Sequence, residues 1–370
     1  MKKLSASVYV FLAVIAVCFA FNFVPLEDGD QSENRRKAPF PTEISTKFPS
    51  SFDRFYEDHF PFRSFLIKKF YTVRKSIKDN PKVIIGVDDW IFLNSSPFNT
   101  YAKSDNTLGD FTGKTLLNDE DAKAFESKIE AQKKYFDERG IRFLIMIPPN
   151  KMTVYPEFTP KGYRKLRTMR SRYEQTEEAI RKAGVPFINL KKLFEKEKGE
   201  YPLYYRTDTH WNDLGAYIAF RNLLNVLHAE TPEIERIEIA DSECGDNYRM
   251  SGLSDACSDL HHRPVLSFKN GEGQCVLQEN AGHLICTNAS APYREHIVIG
   301  RDSFTEKLIP YFSRLFKRTV FIWSGKVSDK EMFDIIETEK PDIVLYNYAE
   351  RNVSQTAKDV PVQKNGKSEK

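Results

Sequence analysis

Ile297-Val298-Ile299-Gly300-Arg301-Asp302-Ser303-Phe304 is an apolar run that ends in a charged, hydroxyl-bearing turn. Such a run predicts a strand buried on both faces, as in a sheet covered by helices. Ser303 then falls where a strand gives way to a helix, at the carboxyl edge of a sheet where α/β proteins gather their ligands. A second stretch, Tyr205-Arg206-Thr207-Asp208-Thr209-His210-Trp211-Asn212, sets a carboxylate and an imidazole two residues apart. A serine hydroxyl attacks a carbonyl well when an imidazole takes its proton and a carboxylate fixes that imidazole's tautomer, and the three can occur in any chain order. Asp208, His210 and Ser303 are therefore the candidate catalytic residues. Taken alone, Asp208 and His210 would be an ordinary structural hydrogen-bonded pair; the placement of Ser303 makes the difference.

Outward from these motifs the pattern alternates. Strands are expected near 83–92, 141–147, 185–190, 296–300, 319–323 and 342–348. Helices are expected over 119–139, 172–183, 212–227, from Ser303 to about 317, and over 329–338, with Pro310 kinking the fourth or marking its start. Alternation of this kind predicts an α/β domain, a parallel sheet in three layers with helices on both faces. The rim at the carboxyl ends would gather 148–151, 208–210, 301–303 and 348–351. Residues 231–291, polar and holding four cysteines, read as an insertion, either a wall of the substrate groove or a stapled surface excursion.

Lys2 and Lys3 precede an apolar run from Val8 to Val24, which predicts that the rest of the chain is exported. Residues 1–26 are expected to be an uncleaved signal anchor, with a cleaved signal peptide as the alternative. A polar, flexible tether over 27–47 would lead to one domain over 48–352, opening with a helical segment, Phe48–Ile77, and closing with a disordered tail, 353–370. Across 370 residues a net charge of +3 is too small to imply nucleic acid, and 41% hydrophobic residues suffice for a large core. Export and an even count predict two disulfides among Cys244, Cys257, Cys275 and Cys286. Three pairings are possible; the sequential one closes the shortest loops. Zinc is a weaker rival, since His261 and His262 follow Cys257 but no Cys-x-x-Cys spacing is present, and no metal or cofactor is expected.

Phe60-Pro61-Phe62-Arg63, Ile85-Gly86-Val87-Asp88-Asp89-Trp90-Ile91-Phe92, Ile147-Pro148-Pro149-Asn150-Lys151 with Tyr155-Pro156-Glu157, Asp208-Thr209-His210-Trp211, Arg301-Asp302-Ser303-Phe304, and Pro341-Asp342 running to Glu350-Arg351 occur in one order. In that order they resemble the alginate O-acetyltransferase family, over roughly Phe48 to Arg351, in the layout of its single-domain members. The resemblance implies an SGNH hydrolase-like fold and acetyl transfer through Ser303 to hydroxyls of an exopolysaccharide during export. It also implies a periplasmic, inner-membrane setting, with a membrane-bound O-acyltransferase as acetyl donor and other acetylation and secretion proteins as partners. An extracytoplasmic carbohydrate acetylesterase and a non-catalytic polysaccharide-binding subunit are the alternatives.

Around the triad, the Ser303 amide is the natural oxyanion donor, because a helix start leaves N–H groups unpaired, and the Asn150 side chain or a neighbouring backbone amide is the candidate second. Asp302 reads as a helix cap. Lys151, Tyr155 and Arg301 are candidate substrate contacts, against a salt-bridged lysine and a packed tyrosine. Trp211 reads as core or as a sugar-stacking ring. Glu350 and Arg351 read as structural ion pairs, and the cluster Lys161, Arg164, Lys165, Arg167, Arg170 and Arg172 as a patch for an acidic polymer or a solvated helix face.

Overall fold

The computed structural model describes residues 6–21, 38–43, 45–59, 69, 82–95, 106–241, 244–251, 262–268, 276–280 and 283–353. The chain divides into two compact units, Met1–Asn80 with Tyr248–Cys257, and Pro81–Asn247 with Ser258–Lys370. In the first, helices cover Ala6–Phe21 and Phe48–His59. Among the described residues no helix is long and apolar enough to cross a membrane. The expected tether ends in folded chain: the Ala38 amide donates to Asp58 at 2.8 Å and the Phe40 ring packs edge-on against Phe52 and Phe55. Most of the expected helix beyond His59, and the tail from 354 on, lie outside the described residues.

The second unit carries the sheets. Strands β1 (Val83–Ile85) and β2 (Ile91–Leu93) form an antiparallel hairpin where one strand is expected. The Trp90 amide donates to the Val87 carbonyl, and Asp88 and Asp89 between them take φ of 53° and 61°. Two consecutive left-handed residues make the tight turn whose twist suits a hairpin, and aspartate tolerates that conformation.

The remaining strands are β3 (Arg142–Met146), β4 (Phe187–Ile188), β5 (Ile234–Asp241), β6 (His262–Phe268), β7 (Val276–Asn280), β8 (His283–Thr287), β9 (Tyr293–Arg301), β10 (Phe316–Trp323) and β11 (Ile343–Asn347). Seven of them form one sheet in the order β4-β3-β11-β9-β10-β8-β7, while β5 and β6 pair separately. The five from β4 to β10 are parallel, as expected; β8 and β7 add to the edge antiparallel. The sheet is therefore mixed. The departure arises in the segment expected to be an insertion, whose second half supplies β7 and β8.

Both faces of the sheet are covered. Along β9, Ile297 and Ile299 join one apolar cluster with helix residues Phe220, Leu223 and Phe312, while Val298 joins another with Phe125, Ile180 and Phe333. Alternate residues of a strand point to opposite faces, so an unbroken apolar run is what a middle strand needs. The helices follow local signals: Asn118 caps Asp119–Asp137, Ser171 and Glu174 form a capping box on Arg172–Lys182, and Asn212 caps Asp213–Leu227. After Ser303 the expected single helix is a short 3-10 turn, Ser303–Lys307, followed by Ile309–Leu315 with Pro310 in its first turn. Proline lacks the amide an interior turn needs, so the helix restarts there.

Candidate active site

Strand β9 delivers Ser303 to the carboxyl edge of the sheet, and Asp302 fixes the turn. One Asp302 carboxylate oxygen accepts from the Phe304 amide at 2.9 Å, and the other accepts from the Ala349 amide at 2.7 Å. Asp302 thus ties the end of β9 to the loop after β11. The loop bearing Asp208 and His210 is held from below by Trp211, which is fully buried and donates from its indole N–H to the Phe304 carbonyl at 2.9 Å. Trp211 is core, and no sugar can stack on it.

The three candidate residues meet. His210 Nδ1 lies 2.6 Å from Asp208 Oδ1, and His210 Nε2 lies 2.7 Å from Ser303 Oγ. Asp208 Oδ1 also accepts the His210 amide at 2.9 Å, and Oδ2 accepts the Asp246 amide at 2.8 Å. Burial pushes the Asp208 pKa up, but the hydrogen bond and charge of His210 and the two amides outweigh it and hold the carboxyl well below the usual range. Burial pushes His210 the other way, yet Asp208 and then Asp246 raise its pKa above the ordinary value. An imidazole so placed can take the Ser303 proton while its other nitrogen stays donated to a carboxylate.

Lys151 follows β3 and is buried. Its ammonium donates to the carbonyls of Tyr205, Arg206 and Asp208 at 3.1, 2.8 and 2.6 Å. It clamps the loop that carries Asp208 and His210. Burial lowers its pKa to about 7, against the opposing pull of Asp208 and Asp246. The Asn150 side chain, expected to point at an oxyanion, donates to Asp110 at 3.3 Å inside a buried network in which Asp110 also pairs with Arg172 at 3.0 Å. Tyr155 is packed between Trp90 and Tyr204, and its hydroxyl accepts the Leu203 amide at 2.8 Å. Arg301 is half-buried, with its guanidinium 4.6 Å from the Trp323 ring centre.

Glu350 and Arg351 form no ion pair among the described residues. Glu350 accepts the Asn150 amide at 2.7 Å and the Thr153 hydroxyl at 2.9 Å. Burial, then the Asp110 charge, raises its pKa to about 7. Of the basic cluster, Arg172 is internal, Arg167 pairs with Glu195 at 3.5 Å and Arg170 with Glu178 at 2.8 Å, while Lys161 and Lys165 are exposed.

Asp246 is the residue that sequence reasoning missed. It sits in the polar segment expected to be an insertion, either a groove wall or a surface excursion, and residues 245–247 return to the loop that carries Asp208 and His210. The Asp246 carboxylate accepts the Thr209 amide at 2.6 Å and the Thr209 hydroxyl at 2.9 Å. The signal was Gly245: a Cβ there would lie 2.3 Å from the Thr207 carbonyl oxygen and 2.4 Å from the Asp208 nitrogen, so only glycine allows the approach. Asp208, His210 and Asp246 bring potential ligand atoms within 4.8 Å of one another. Both imidazole nitrogens already serve the hydrogen bonds to Asp208 and Ser303. Cys244 and Cys286 are half-cystines, whereas Cys257 and Cys275 lie outside the described residues.

A family model described as the SGNH hydrolase-like domain of the acetyltransferase AlgX matches residues 83–247, a span that includes Asp208, His210 and Asp246 and stops before Ser303. A probable alginate O-acetylase AlgJ of Pseudomonas syringae pv. tomato is 23% identical over 194 residues, 52% of this chain and 45% of that protein. The Pseudomonas putida protein of the same description is 26% identical over 151 residues, 41% of this chain and 35% of its own length. The matched span is thus less than half the length of these curated relatives. Among solved structures, Bacillus cereus PatB1 superposes with a TM-score of 0.54 at 15% identity, over 74% of this chain and 97% of that one. That likeness is one of fold.

Proposed function

We propose that this chain, which resembles the alginate acetyltransferase family through an SGNH hydrolase-like domain over residues 83–247, moves acetyl groups onto the hydroxyls of an alginate-like polysaccharide. The observation that carries the proposal is the relay Asp208–His210–Ser303, with contacts of 2.6 and 2.7 Å. In the proposed cycle, Ser303 Oγ attacks the donor's acetyl carbonyl while His210 Nε2 takes the hydroxyl proton. The tetrahedral oxyanion faces the Ser303 amide. Its collapse leaves an acetyl ester on Ser303, and His210 returns the proton to the departing group. A sugar hydroxyl then attacks the ester, giving its proton to His210, and Ser303 is regenerated as the acetylated sugar leaves. Asp208 keeps the imidazole oriented and stabilises its charged form throughout.

The setting belongs to the same proposal. Lys2 and Lys3 before the apolar run support export with the amino-terminal segment as anchor, a periplasmic domain, and disulfides joining Cys244, Cys257, Cys275 and Cys286. A membrane-bound O-acyltransferase would supply the acetyl group. The test is incubation of the protein with an acetyl ester and a uronate oligosaccharide, with mass spectrometry of the sugar. Acetylated oligosaccharide that disappears with Ser303→Ala supports transfer; release of acetate alone would make the protein an esterase, and no turnover of either kind would reject the proposal.

A further inference from the structure

We propose that Asp246 is a positioning residue for His210, a second carboxylate set beside the Asp208–His210 pair. The proposal rests on the reading of His210 as the general base. Its backbone and its side chain act on the pair in different ways. The Asp246 amide donates to Asp208 Oδ2 at 2.8 Å, the oxygen not engaged by the imidazole, and so fixes the plane of the Asp208 carboxylate. One side-chain oxygen is held by the Thr209 amide and hydroxyl at 2.6 and 2.9 Å. The other, Oδ2, stands 3.8 Å from His210 Nδ1, too far for a hydrogen bond but close enough for its charge to favour the imidazolium.

The charges around this centre come from four elements. Asp208 and His210 lie on the catalytic loop, Lys151 on the turn after β3, Arg351 on the turn after β11, and Asp246 on the returning segment. Asp208 and Asp246 both raise the His210 pKa, while Arg351 opposes them. Lys151 feels both carboxylates as well. Burial and then the Asp208 charge make Asp246 itself harder to ionise than an ordinary aspartate. An Asp246 that held only the backbone in place would leave the His210 titration unchanged when its charge is removed. One that acts on the imidazole would not.

Asp246→Asn keeps the backbone amide and an oxygen for Thr209 while removing the charge; Asp246→Ser is a second neutral variant of smaller size. His210 is followed by NMR in the full-length protein labelled with [13Cε1]-histidine, its signal assigned by loss in His210→Gln. In either folded neutral variant the His210 titration midpoint should lie below that of the wild type, and the acidic limb of kcat/KM should move to lower pH with it. Loss of the charged contact should lower kcat/KM by roughly tenfold. Asp246→Glu, which retains the charge, should keep the midpoint on the wild-type side. An unchanged His210 midpoint in a folded neutral variant would overturn the proposal. Because the NMR readout needs no substrate, a wild-type protein without acetyl transfer would defeat the proposed function and leave the Asp246 result standing.

Discussion

The Lys151 ammonium donates to the Asp208 backbone carbonyl at 2.6 Å, so a buried cation from the turn after β3 holds the loop that carries Asp208 and His210 of the candidate triad. Three carbonyls share that ammonium, and replacing it with Lys151→Met strands them in a buried site. We expect a loss of roughly 2–4 kcal/mol, measured by chemical denaturation at neutral pH.

The same lysine makes stability depend on pH in a particular direction. Its pKa of about 7 in the fold lies below the ordinary value of 10.5, so between these limits the unfolded chain binds more protons than the folded one. Stability from this group therefore rises as pH goes from about 7 towards 10, and its burden is greatest below 7. The wild-type melting temperature should gain more between pH 7 and pH 9.5 than that of Lys151→Met, whereas parallel curves would show that Lys151 does not titrate there.

Gly245→Ala should misplace the returning segment. The new Cβ meets backbone at 2.3 and 2.4 Å, and no flexible side chain can move aside to relieve it. We expect about 1–3 kcal/mol of destabilisation and a larger fall in activity, since Asp246 follows directly. A Gly245→Ala protein with wild-type turnover would mean that the Thr207–Asp208 peptide shifts without consequence.

Much of this architecture was legible in the chain. The run Ile297–Gly300 identified a middle strand because each alternate residue needed an apolar neighbour, and the helix expected over 212–227 is the one that Asn212 caps. The serine, the histidine and Asp208 were found because their chemistry is recognisable from residue type. What stayed hidden depended on tertiary return. Nothing local marks β7 and β8 as strands that extend the sheet antiparallel, and Asp246 looked like one more polar residue until Gly245 is seen lying against the Thr207–Asp208 peptide. Asn150 and Lys151 sit at the expected rim, but buried acceptors, Asp110 for one and loop carbonyls for the other, have claimed their donors.

Asp208→Asn should keep the fold and lose most of the turnover. The amide can present its N–H to His210 Nδ1, which selects the wrong imidazole tautomer, and a fall of ~10²–10⁴ in kcat is expected. Steady-state kinetics with a chromogenic acetyl ester, alongside circular dichroism, separates this from unfolding.

Cys244 and Cys286 being half-cystines leads us to expect no free thiol among Cys244, Cys257, Cys275 and Cys286 in the oxidised protein. Reduction should cost about 2–3 kcal/mol per short loop in the chain-entropy account, and activity should suffer with it because Cys244 lies two residues before Asp246. Thiol labelling in denaturant without reductant, with labelled sites located by mass spectrometry, reads the first point; reactive thiol at any of the four would refute the two-disulfide assignment.

The acyl-enzyme is the centre of the proposed function, and it can be weighed directly. The wild-type protein is mixed with an acetyl ester, quenched in acid within the first turnover, and analysed by intact-mass and peptide mass spectrometry. The account predicts one acetyl group per chain, located on Ser303, absent from Ser303→Ala, and lost when a uronate oligosaccharide is added before the quench. An acetyl group on another residue, or equal labelling of Ser303→Ala, would contradict it.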